Sequence, residues 1–392
     1  MKDYLRYAHE LLVYFPAAYL GFLLGGLGPL LAIAFMTLSQ VAIDNLLPPD
    51  LYDPQPRIPA ILDAILLAHL PAGVVALVLM AWSVAPGDLF GIGAALHPWL
   101  PFVRVAHGAA SGFDVLSSGM LAGFILSGNT VVAHELMHRR GSRLRLFTGR
   151  LILALNGDAQ FEIAHVFGHH MNVATHEDPA SARRGESLYR FFLRSTVGQY
   201  RESVQIERRR LARAGRPFWT AHNLLLSGIA LTLLTALAVW GLAGPAALAA
   251  YGIGLLYAKF MLENVNYIQH YGLLRRPGTQ VEPRHSWDCM NAACTTAFYA
   301  LSRHSHHHAK PVHPFWALHV TSGRSGPNLQ WGYLGMMMLA MVPPLWFRLT
   351  TPMLLDWDAR CASPDELLLA LEANRCSGLP ALVLAEGATP AA

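Results

Sequence analysis

Long apolar runs alternate with polar intervals along the whole chain. A helix of about 20 apolar residues, at about 1.5 Å per residue, crosses the roughly 30 Å hydrocarbon layer of a bilayer. Six runs come close to this length or exceed it: residues 5–24, 27–46, 59–83, 116–133, 219–242 and 246–262. The pattern therefore predicts an all-α integral membrane bundle of six transmembrane helices.

Glycine and proline separate neighbouring runs in two places. Gly25-Gly26 and Gly28-Pro29 form a helix-breaking cluster between the first two runs, which predicts a tight hairpin. The alternative is one long hydrophobic element in place of the two spans, which would leave the N-terminus outside. The uncharged stretch GLAGPAAL joins the fifth and sixth runs and suits a short outer turn.

Clusters of arginine predict the orientation, because positive charge collects on the cytoplasmic side of membrane proteins. Five arginines follow the fourth run and five precede the fifth: Arg139, Arg140, Arg143, Arg145, Arg150, and Arg208, Arg209, Arg210, Arg213, Arg216. We therefore expect the N-terminus to lie in the cytoplasm. We expect the two polar regions, about 134–218 and 263–330, to lie there too and to form a helical cap. The run Arg208–Arg210 is interpreted as a determinant of topology, with a docking patch for an acidic electron carrier as the alternative.

The composition agrees with a membrane protein. Hydrophobic residues make up 53% of the chain and charged residues 14%, with a mean hydropathy of +0.33, whereas a soluble chain is about a quarter charged. The net charge of +4 is small, so nucleic-acid binding is not expected. Four cysteines form no C-x-x-C pair, which argues against a disulfide framework and against a fused rubredoxin-type iron site.

No internal repeat or separate domain is visible in the pattern. We assign residues 1–360 to a single membrane domain and residues 361–392 to a C-terminal tail. The tail contains one helix-like piece, DELLLALEAN, and an Ala/Gly/Pro end that is expected to be mobile. The apolar stretch LGMMMLAMVPPLWF is too short to span a bilayer and is expected to be buried or interfacial.

The stretch HELMH ends the fourth run. His134 and His138 lie one helical turn apart with Glu135 between them, which is how a zinc metalloprotease holds its metal and its general base. Such a protease needs a further ligand motif elsewhere, and the chain contains no Asp-Gly motif of that kind.

The chain instead has more histidines at helical spacing than one ion needs. AHVFGHH contains His165, His169 and His170, YIQHYG contains His270, and SRHSHHHAKP contains His304, His306, His307 and His308. Residues at i and i+4 share one face of a helix, so the pairs His134/His138, His165/His169 and His304/His308 each predict a two-pronged clamp. The isolated His107, His176, His222, His285, His313 and His319 are interpreted as surface or supporting histidines.

This supply of imidazoles suits two metal ions. Several imidazoles per ion without thiolate leave coordination positions open, which favours a redox metal over a closed structural zinc site. A histidine cluster at the rim of a membrane bundle can receive an apolar substrate from the lipid and electrons from the cytosol. The residues therefore point to oxygen chemistry.

HELMHRR, FEIAHVFGHH followed by ATHEDPASARRGESLYRF, NYIQHYGL and LSRHSHHHAKP resemble the four histidine boxes of the integral-membrane alkane 1-monooxygenases, which are non-haem di-iron enzymes. The similarity extends from about Tyr4 to Asp358 and takes in related xylene and cymene methyl-group monooxygenases. The resemblance implies two iron ions, dioxygen as co-substrate, and nine ligands: His134, His138, His165, His169, His170, His270, His304, His307 and His308.

By the same resemblance, the expected activity is hydroxylation of the terminal methyl of a medium- or long-chain alkane, or of an alkyl side chain, to a primary alcohol. Electrons would come from a rubredoxin-type donor served by an NAD(P)H-dependent reductase. The expected location is the inner (plasma) membrane, with the active site on the cytoplasmic side. Phe35 and Met36 are candidates for residues that set the chain length of the substrate.

Two alternatives remain open. One is a membrane fatty-acyl desaturase or hydroxylase, which would also use a di-iron site held by histidines. The other is a catalytically impaired metal-binding homologue, which would keep the histidines without the activity. The second alternative is motivated by Ala164, Gln269 and His306, which stand where the family pattern has carboxylates. Glu162 is a possible replacement for one of those carboxylates, and His306 a possible tenth ligand. Ser302 also differs from the pattern, which has a glutamine there.

The charge pattern yields a test of topology. Reporter fusions at Arg143, at Arg210 and at the C-terminus should all report a cytoplasmic location, because each follows an even number of predicted crossings. Fusions of two reporters that are active on opposite sides of the membrane would measure this directly. A periplasmic signal at any of the three positions contradicts the predicted orientation.

Overall fold

The computed structural model describes residues 2–320 and 326–385, and within these ranges it is helical with no β-strand. The α-helices are α1 Lys2–His9, α2 Phe15–Leu24, α3 Gly28–Leu46, α4 Pro59–Val84, α5 Ile92–Leu96, α6 Gly112–His138, α7 Arg143–Leu155, α8 Phe161–Ala164, α9 His170–Asn172, α10 Leu188–Arg213, α11 Leu224–His270, α12 Ala292–Ala297, α13 His304–Ala309, α14 Tyr333–Ala340, α15 Pro343–Arg360, α16 Pro364–Cys376 and α17 Pro380–Ala385. Two π-helical turns, Glu10–Tyr14 and His165–His169, and three 3-10 turns, Leu89–Gly91, Pro283–His285 and Phe315–Ala317, complete the helical elements.

Five helices in the described ranges are long and apolar enough to cross a membrane. They are Lys2–Leu24, which comprises α1, a π turn and α2, and the single helices α3, α4, α6 and α11. The predicted all-α membrane fold is therefore confirmed, and the first four predicted spans coincide with the first four of these helices. The number of six crossings and the cytoplasmic cap stay predictions.

The sixth predicted span, and the fifth apart from residues 219–223, fall within α11, which has 47 residues. The helix is interrupted at Gly244, whose φ of 82° and ψ of −173° are not helical, and Pro245 follows directly. Proline cannot donate a backbone hydrogen bond. The interruption falls inside GLAGPAAL, where the sequence predicts a turn.

The first two spans are separate helices. Gly25 and Gly26 both have positive φ, 62° and 53°, between the end of α2 and the start of α3. Two successive residues in the left-handed region require glycine, because a Cβ is disfavoured there. The alternative of one long hydrophobic element is therefore wrong.

The described residues form two compact units, and the first contains most of the apolar helices. It comprises residues 2–42, 55–159 and 211–261. Its core is apolar and includes Phe22, Met36, Met80, Leu121 and Tyr251. Met36 is completely buried, whereas Phe35 is 50% exposed, so of the two candidate chain-length residues only Met36 lies in the core of this unit.

Small residues bring α6 and α11 close together in the first unit. A Cβ added at Gly119 would lie 2.7 Å from the carbonyl oxygen of Ala250, and one added at Gly123 would lie 2.8 Å from that of Gly254. Glycines spaced four apart allow such close backbone approach between membrane helices, where packing rather than the hydrophobic effect drives association.

His69, Asn129 and Glu10 form a buried polar cluster within this apolar unit. The Nδ1 atom of His69 lies 3.0 Å from Oδ1 of Asn129, and Nε2 of His69 lies 4.0 Å from a carboxylate oxygen of Glu10. Asn129 of α6 thus forms an interhelical hydrogen bond with His69 of α4. His69 and Glu10 could not be paired from the sequence, because they are 59 positions apart on different helices.

The second unit comprises residues 43–54, 160–210, 262–320 and 326–385. The fully buried side chain of Arg184 ties its parts together. Its guanidinium donates to both carboxylate oxygens of Asp358, at 2.6 and 2.7 Å, to Oδ1 of Asn374 at 2.6 Å and to the carbonyl of Gly272 at 2.8 Å. A buried arginine needs this many acceptors to offset its lost hydration.

The predicted tail is ordered through most of its length. The piece DELLLALEAN lies in α16, and Glu366 of that helix accepts a hydrogen bond from His285 at 2.7 Å. The Ala/Gly/Pro end, residues 386–392, lies outside the described residues. Met336 and Met337 are buried in α14, as expected for packing residues.

The glycine contact between α6 and α11 generates a test of stability. Gly123→Ala places a Cβ 2.6 Å from that of Tyr257, so we expect a loss of about 1–3 kcal/mol through overpacking. Thermal unfolding in detergent would measure it. Gly128→Ala is the matched control, because a Cβ at that position of the same helix meets nothing within 4 Å. Equal melting temperatures for the two variants would show that the close contact does not stabilise the unit.

Candidate metal centre

Seven histidines of the second unit converge in two adjoining sets. The first set is His169, His270, His304 and His308, all of them buried, with ligand nitrogens within 4.8 Å of one another. The second set contains His165, His170 and His307, whose ligand nitrogens also lie within 4.8 Å of one another. The ring centroids of His170 and His308 are 4.5 Å apart, so the two sets are neighbours.

A π-helical turn determines which of the two sets each histidine of AHVFGHH joins. The turn spans His165–His169 and places residues five apart, rather than four apart, on one face. The Nε2 atoms of His165 and His170 are accordingly 3.0 Å apart, while His169 belongs to the other set. The predicted i, i+4 clamp of His165 with His169 is therefore wrong, because the local helix has a wider turn than an α-helix.

The clamp predicted for His304 and His308 is present. Both lie on α13, one α-helical turn apart, and their Nε2 atoms are 3.0 Å from each other. His307 lies on another face of the same short helix and joins the second set. The sequence HSHHH thus contributes to both sets.

The remaining predicted ligands, His134 and His138, belong to the first unit. They lie at the C-terminal end of α6 with ring centroids 4.9 Å apart, so the third predicted clamp is also formed. Glu135 between them is buried, and the guanidinium of Arg139 donates to its Oε1 from both Nε and Nη2, at 2.8 and 2.6 Å. This ion pair holds the Glu135 carboxylate at the C-terminal end of α6.

Asp178 orients one of the buried histidines. Its carboxylate accepts from Nδ1 of His169 at 2.8 Å and from the Ser181 hydroxyl at 2.6 Å. Burial raises the pKa of the Asp178 carboxyl, but its interaction with His169 and the hydrogen bond from Ser181 hold that pKa below its ordinary value. Because a carboxylate only accepts, His169 has its proton on Nδ1, which leaves the lone pair of Nε2 for a metal.

Two further contacts fix the start of α13. Asp288 accepts from the backbone N–H and the hydroxyl of Ser305, at 2.7 and 2.6 Å. The fully buried guanidinium of Arg303 donates to Asp53 at 2.7 Å and to the carbonyls of Leu318 and Tyr52 at 2.6 and 2.7 Å. These hydrogen bonds hold the residues on both sides of His304.

A small cavity lies beside the π turn. It is bordered by Ala164, His165, His169, Asp178, Gln199 and Glu202. Burial, and after it the charge of Asp178, raise the pKa of the Glu202 carboxyl to about 7. A second carboxylate therefore lies near the histidines, on α10 rather than in any histidine motif.

Ala164, Gln269 and His306, which stand where the family pattern has carboxylates, are not placed as metal ligands. Gln269 donates from Nε2 to the Tyr333 hydroxyl at 2.8 Å. Nδ1 of His306 accepts from the backbone N–H of His319 at 3.0 Å, and its ring packs against those of His313 and His319, so His306 is in neither set. Burial and the neighbouring charges lower the pKa of His306 to about 4. Ala164 borders the cavity.

The donor set fits a transition metal. His304 Nε2 lies 3.0 Å from Nε2 of both His270 and His308. One ring nitrogen has a single proton or lone pair, so it hydrogen-bonds well to one neighbour only, whereas imidazoles bound to one ion at about 2.1 Å approach each other in this way. Nε2 of His169 is buried without a hydrogen-bond partner among the described residues. Burial and neighbouring imidazoles lower the pKa of His308 well below its ordinary value, which keeps it in the neutral, metal-binding form.

Sequence reasoning missed the carboxylates that surround the histidines. Asp178 lies within the quoted stretch HEDPAS but has no helical spacing to any histidine, and Glu202 lies in a charged helix among other acidic residues. His285 was placed among surface or supporting histidines, and it is a buried partner of Glu366. A signal for Asp178 exists in the sequence, since a carboxylate shortly after a metal-binding box is a frequent partner of its imidazoles.

Comparison with known proteins identifies the family to which this chain is related. The family model described as fatty acid desaturase matches residues 113–340. The chain is 35% identical over 250 residues to an alkane 1-monooxygenase of Acinetobacter baylyi, which covers 62% of this chain and 60% of that protein. It is 34% identical over 250 residues to the hydroxylase component of xylene/toluene monooxygenase of Pseudomonas putida, covering 64% of this chain and 67% of that protein.

A further similarity is longer. The chain is 32% identical over 293 residues to an alkane 1-monooxygenase of Ectopseudomonas oleovorans, which covers 73% of this chain and 67% of that protein. The range matched by the family model, residues 113–340, contains all four histidine motifs. On these similarities, and on the histidine sets that accompany them, the chain belongs to the alkane 1-monooxygenase family, within the larger group that the fatty acid desaturase model describes.

Proposed function

We propose that this protein is a membrane di-iron monooxygenase that hydroxylates the terminal methyl of an alkane or alkyl side chain. The observation that carries the proposal is the convergence of seven imidazoles in two adjoining sets, without thiolate, in a chain with several apolar helices. Family membership supports the class of reaction. The overall reaction is R–CH3 + O2 + 2 e⁻ + 2 H⁺ → R–CH2OH + H2O.

The nine histidines would hold two iron ions. His169, His270, His304 and His308 are assigned to one ion, and His165, His170 and His307 to the other. His134 and His138 are assigned to the second ion on the strength of the family's motif order and of their clamp geometry. Bound iron supplies the activation of dioxygen, which the side chains of the protein cannot provide.

The side chains around the histidines orient and shield them. Asp178 holds His169 in the tautomer whose Nε2 lone pair is available, and Asp288 and Arg303 fix the backbone on both sides of His304. Such partners cut the reorganisation that metal binding would otherwise require. Burial of the first set keeps bulk water from the reacting atoms.

The substrate and the electrons come from outside the described structure. Alkanes and alkyl-arenes partition into lipid, so we propose that the substrate enters from the bilayer, with Met36 as a candidate determinant of chain length. No flavin, nicotinamide or cysteine-ligated iron motif occurs in the sequence. A rubredoxin-type protein and its NAD(P)H-dependent reductase are the proposed donors, at the cytoplasmic face of the inner membrane.

A desaturase is the second candidate, because the matching family model is named for fatty acid desaturases. It would remove two hydrogens and leave an alkene where the monooxygenase leaves an alcohol. The catalytically impaired homologue is the third. It would bind metal but consume no oxygen when substrate and reduced donor are supplied.

Metal content and product identity test the proposal together. Purified protein should contain about two irons per chain, as the number of imidazoles implies, and cells expressing it with a rubredoxin system should convert alkanes or alkyl-arenes to primary alcohols. Elemental analysis and mass spectrometry measure the two quantities. His308→Ala is the inactive control. Alkene products would identify the desaturase, and stoichiometric zinc with little iron would refute the di-iron assignment.

Asp178 provides a separate test of how the histidines are oriented. Asp178→Asn keeps the shape of the side chain but lets it donate towards His169 Nδ1, so we expect iron affinity to fall about 10- to 100-fold. Competition with a ferrous chelator would measure the affinity. Asp365→Asn is the matched control, since Asp365 is exposed and pairs with Arg276. Unchanged affinity in Asp178→Asn would exclude the orienting role.

A further inference from the structure

The carboxylate of Glu202, on α10, points towards the π turn that contains His165 and His169. It lies against the backbone of Gly168 within the π turn, so closely that a Cβ at that glycine would collide with it. The same carboxylate borders the cavity that Ala164, His165 and His169 also border. Glu202 therefore faces two of the proposed iron ligands from a different helix.

Asp178 and Gln199, which also border the cavity, both have hydrogen-bond partners. Asp178 accepts from His169, Ser181 and the backbone of Ala180. The Gln199 amide donates to Ser195 and to Glu263, both at 2.8 Å. Oε2 of Glu202, in contrast, is buried with no hydrogen-bond partner among the described residues.

A buried carboxylate oxygen without a donor is costly, and more so beside a second carboxylate, unless positive charge is near. Two divalent ions held by neutral imidazoles would supply that charge, and an imidazole that binds a cation becomes a stronger hydrogen-bond donor through its other nitrogen. The position of Glu202 thus makes physical sense when the centre is loaded.

We propose that Glu202 is a positioning residue of the metal centre, which acts on His165 from the space that Ala164 leaves open and lies beside Asp178, the partner of His169. It supplies from α10 the carboxylate that the family pattern has at position 164. The proposal rests on the proposed di-iron function. On this proposal the carboxylate is not lost from the site but moved from position 164 to Glu202.

The relocation can be tested by moving the carboxylate back. Glu202→Gln, which keeps shape but not charge, should lose iron to a ferrous chelator about 10-fold faster than the parent protein. Ala164→Glu should also lose iron faster, because it places two carboxylates in one cavity. The double variant Ala164→Glu/Glu202→Ala should recover most of the parent's iron retention. Glu177→Gln, which removes a neighbouring exposed carboxylate, should change nothing.

The measurements use the full chain in detergent: iron per chain, rate of iron loss, and melting temperature of the metal-free protein. Melting temperatures equal to the parent's show that the variants act on the metal and not on folding. If the double variant fails to fold, Glu202→Gln decides alone. Iron loss from Glu202→Gln at the parent's rate, or tighter binding by Ala164→Glu alone, would overturn the inference. Absence of iron from the parent protein would instead refute the di-iron function.

Discussion

The pitch of one helical turn governs the metal centre. An α-helix would put His165 and His169 on one face, and the π turn puts His165 and His170 there instead, with His169 directed to the other set. A single wide turn thus lets three histidines within six residues serve two sites. The contacts of His169 with Asp178, and of the Gly168 backbone with Glu202, both depend on this local geometry.

The sequence was sufficient for the features that depend on periodicity. Apolar length predicted the membrane helices, the Gly25-Gly26 pair predicted the break between the first two, and i, i+4 spacing predicted the clamps of α6 and α13. The resemblance to the alkane 1-monooxygenases is confirmed by the relatives. Each of these features is local, or is a motif whose order along the chain is itself the evidence.

The features that escaped prediction depend on contacts between distant residues or on a departure from regular helix. Nothing in the spacing of AHVFGHH distinguishes a π turn from an α-helical one. Glu202 is 33 positions from His169 and becomes relevant only when α10 packs beside the π turn. In the sequence motif, Ala164 stands where the family has a carboxylate. In the folded chain, the carboxylate of Glu202 borders the same cavity as Ala164.

The interruption of α11 at Gly244 has a consequence for how the protein is made. An unbroken helix of this length would measure about 70 Å at 1.5 Å per residue, more than twice the thickness of the hydrocarbon layer. From Leu224 to Ala258 the chain carries no charged side chain, so nothing at the interruption itself resists passage through lipid. If the fifth and sixth predicted crossings are right, the two arms on either side of Gly244 would enter the bilayer together during synthesis, as one hairpin.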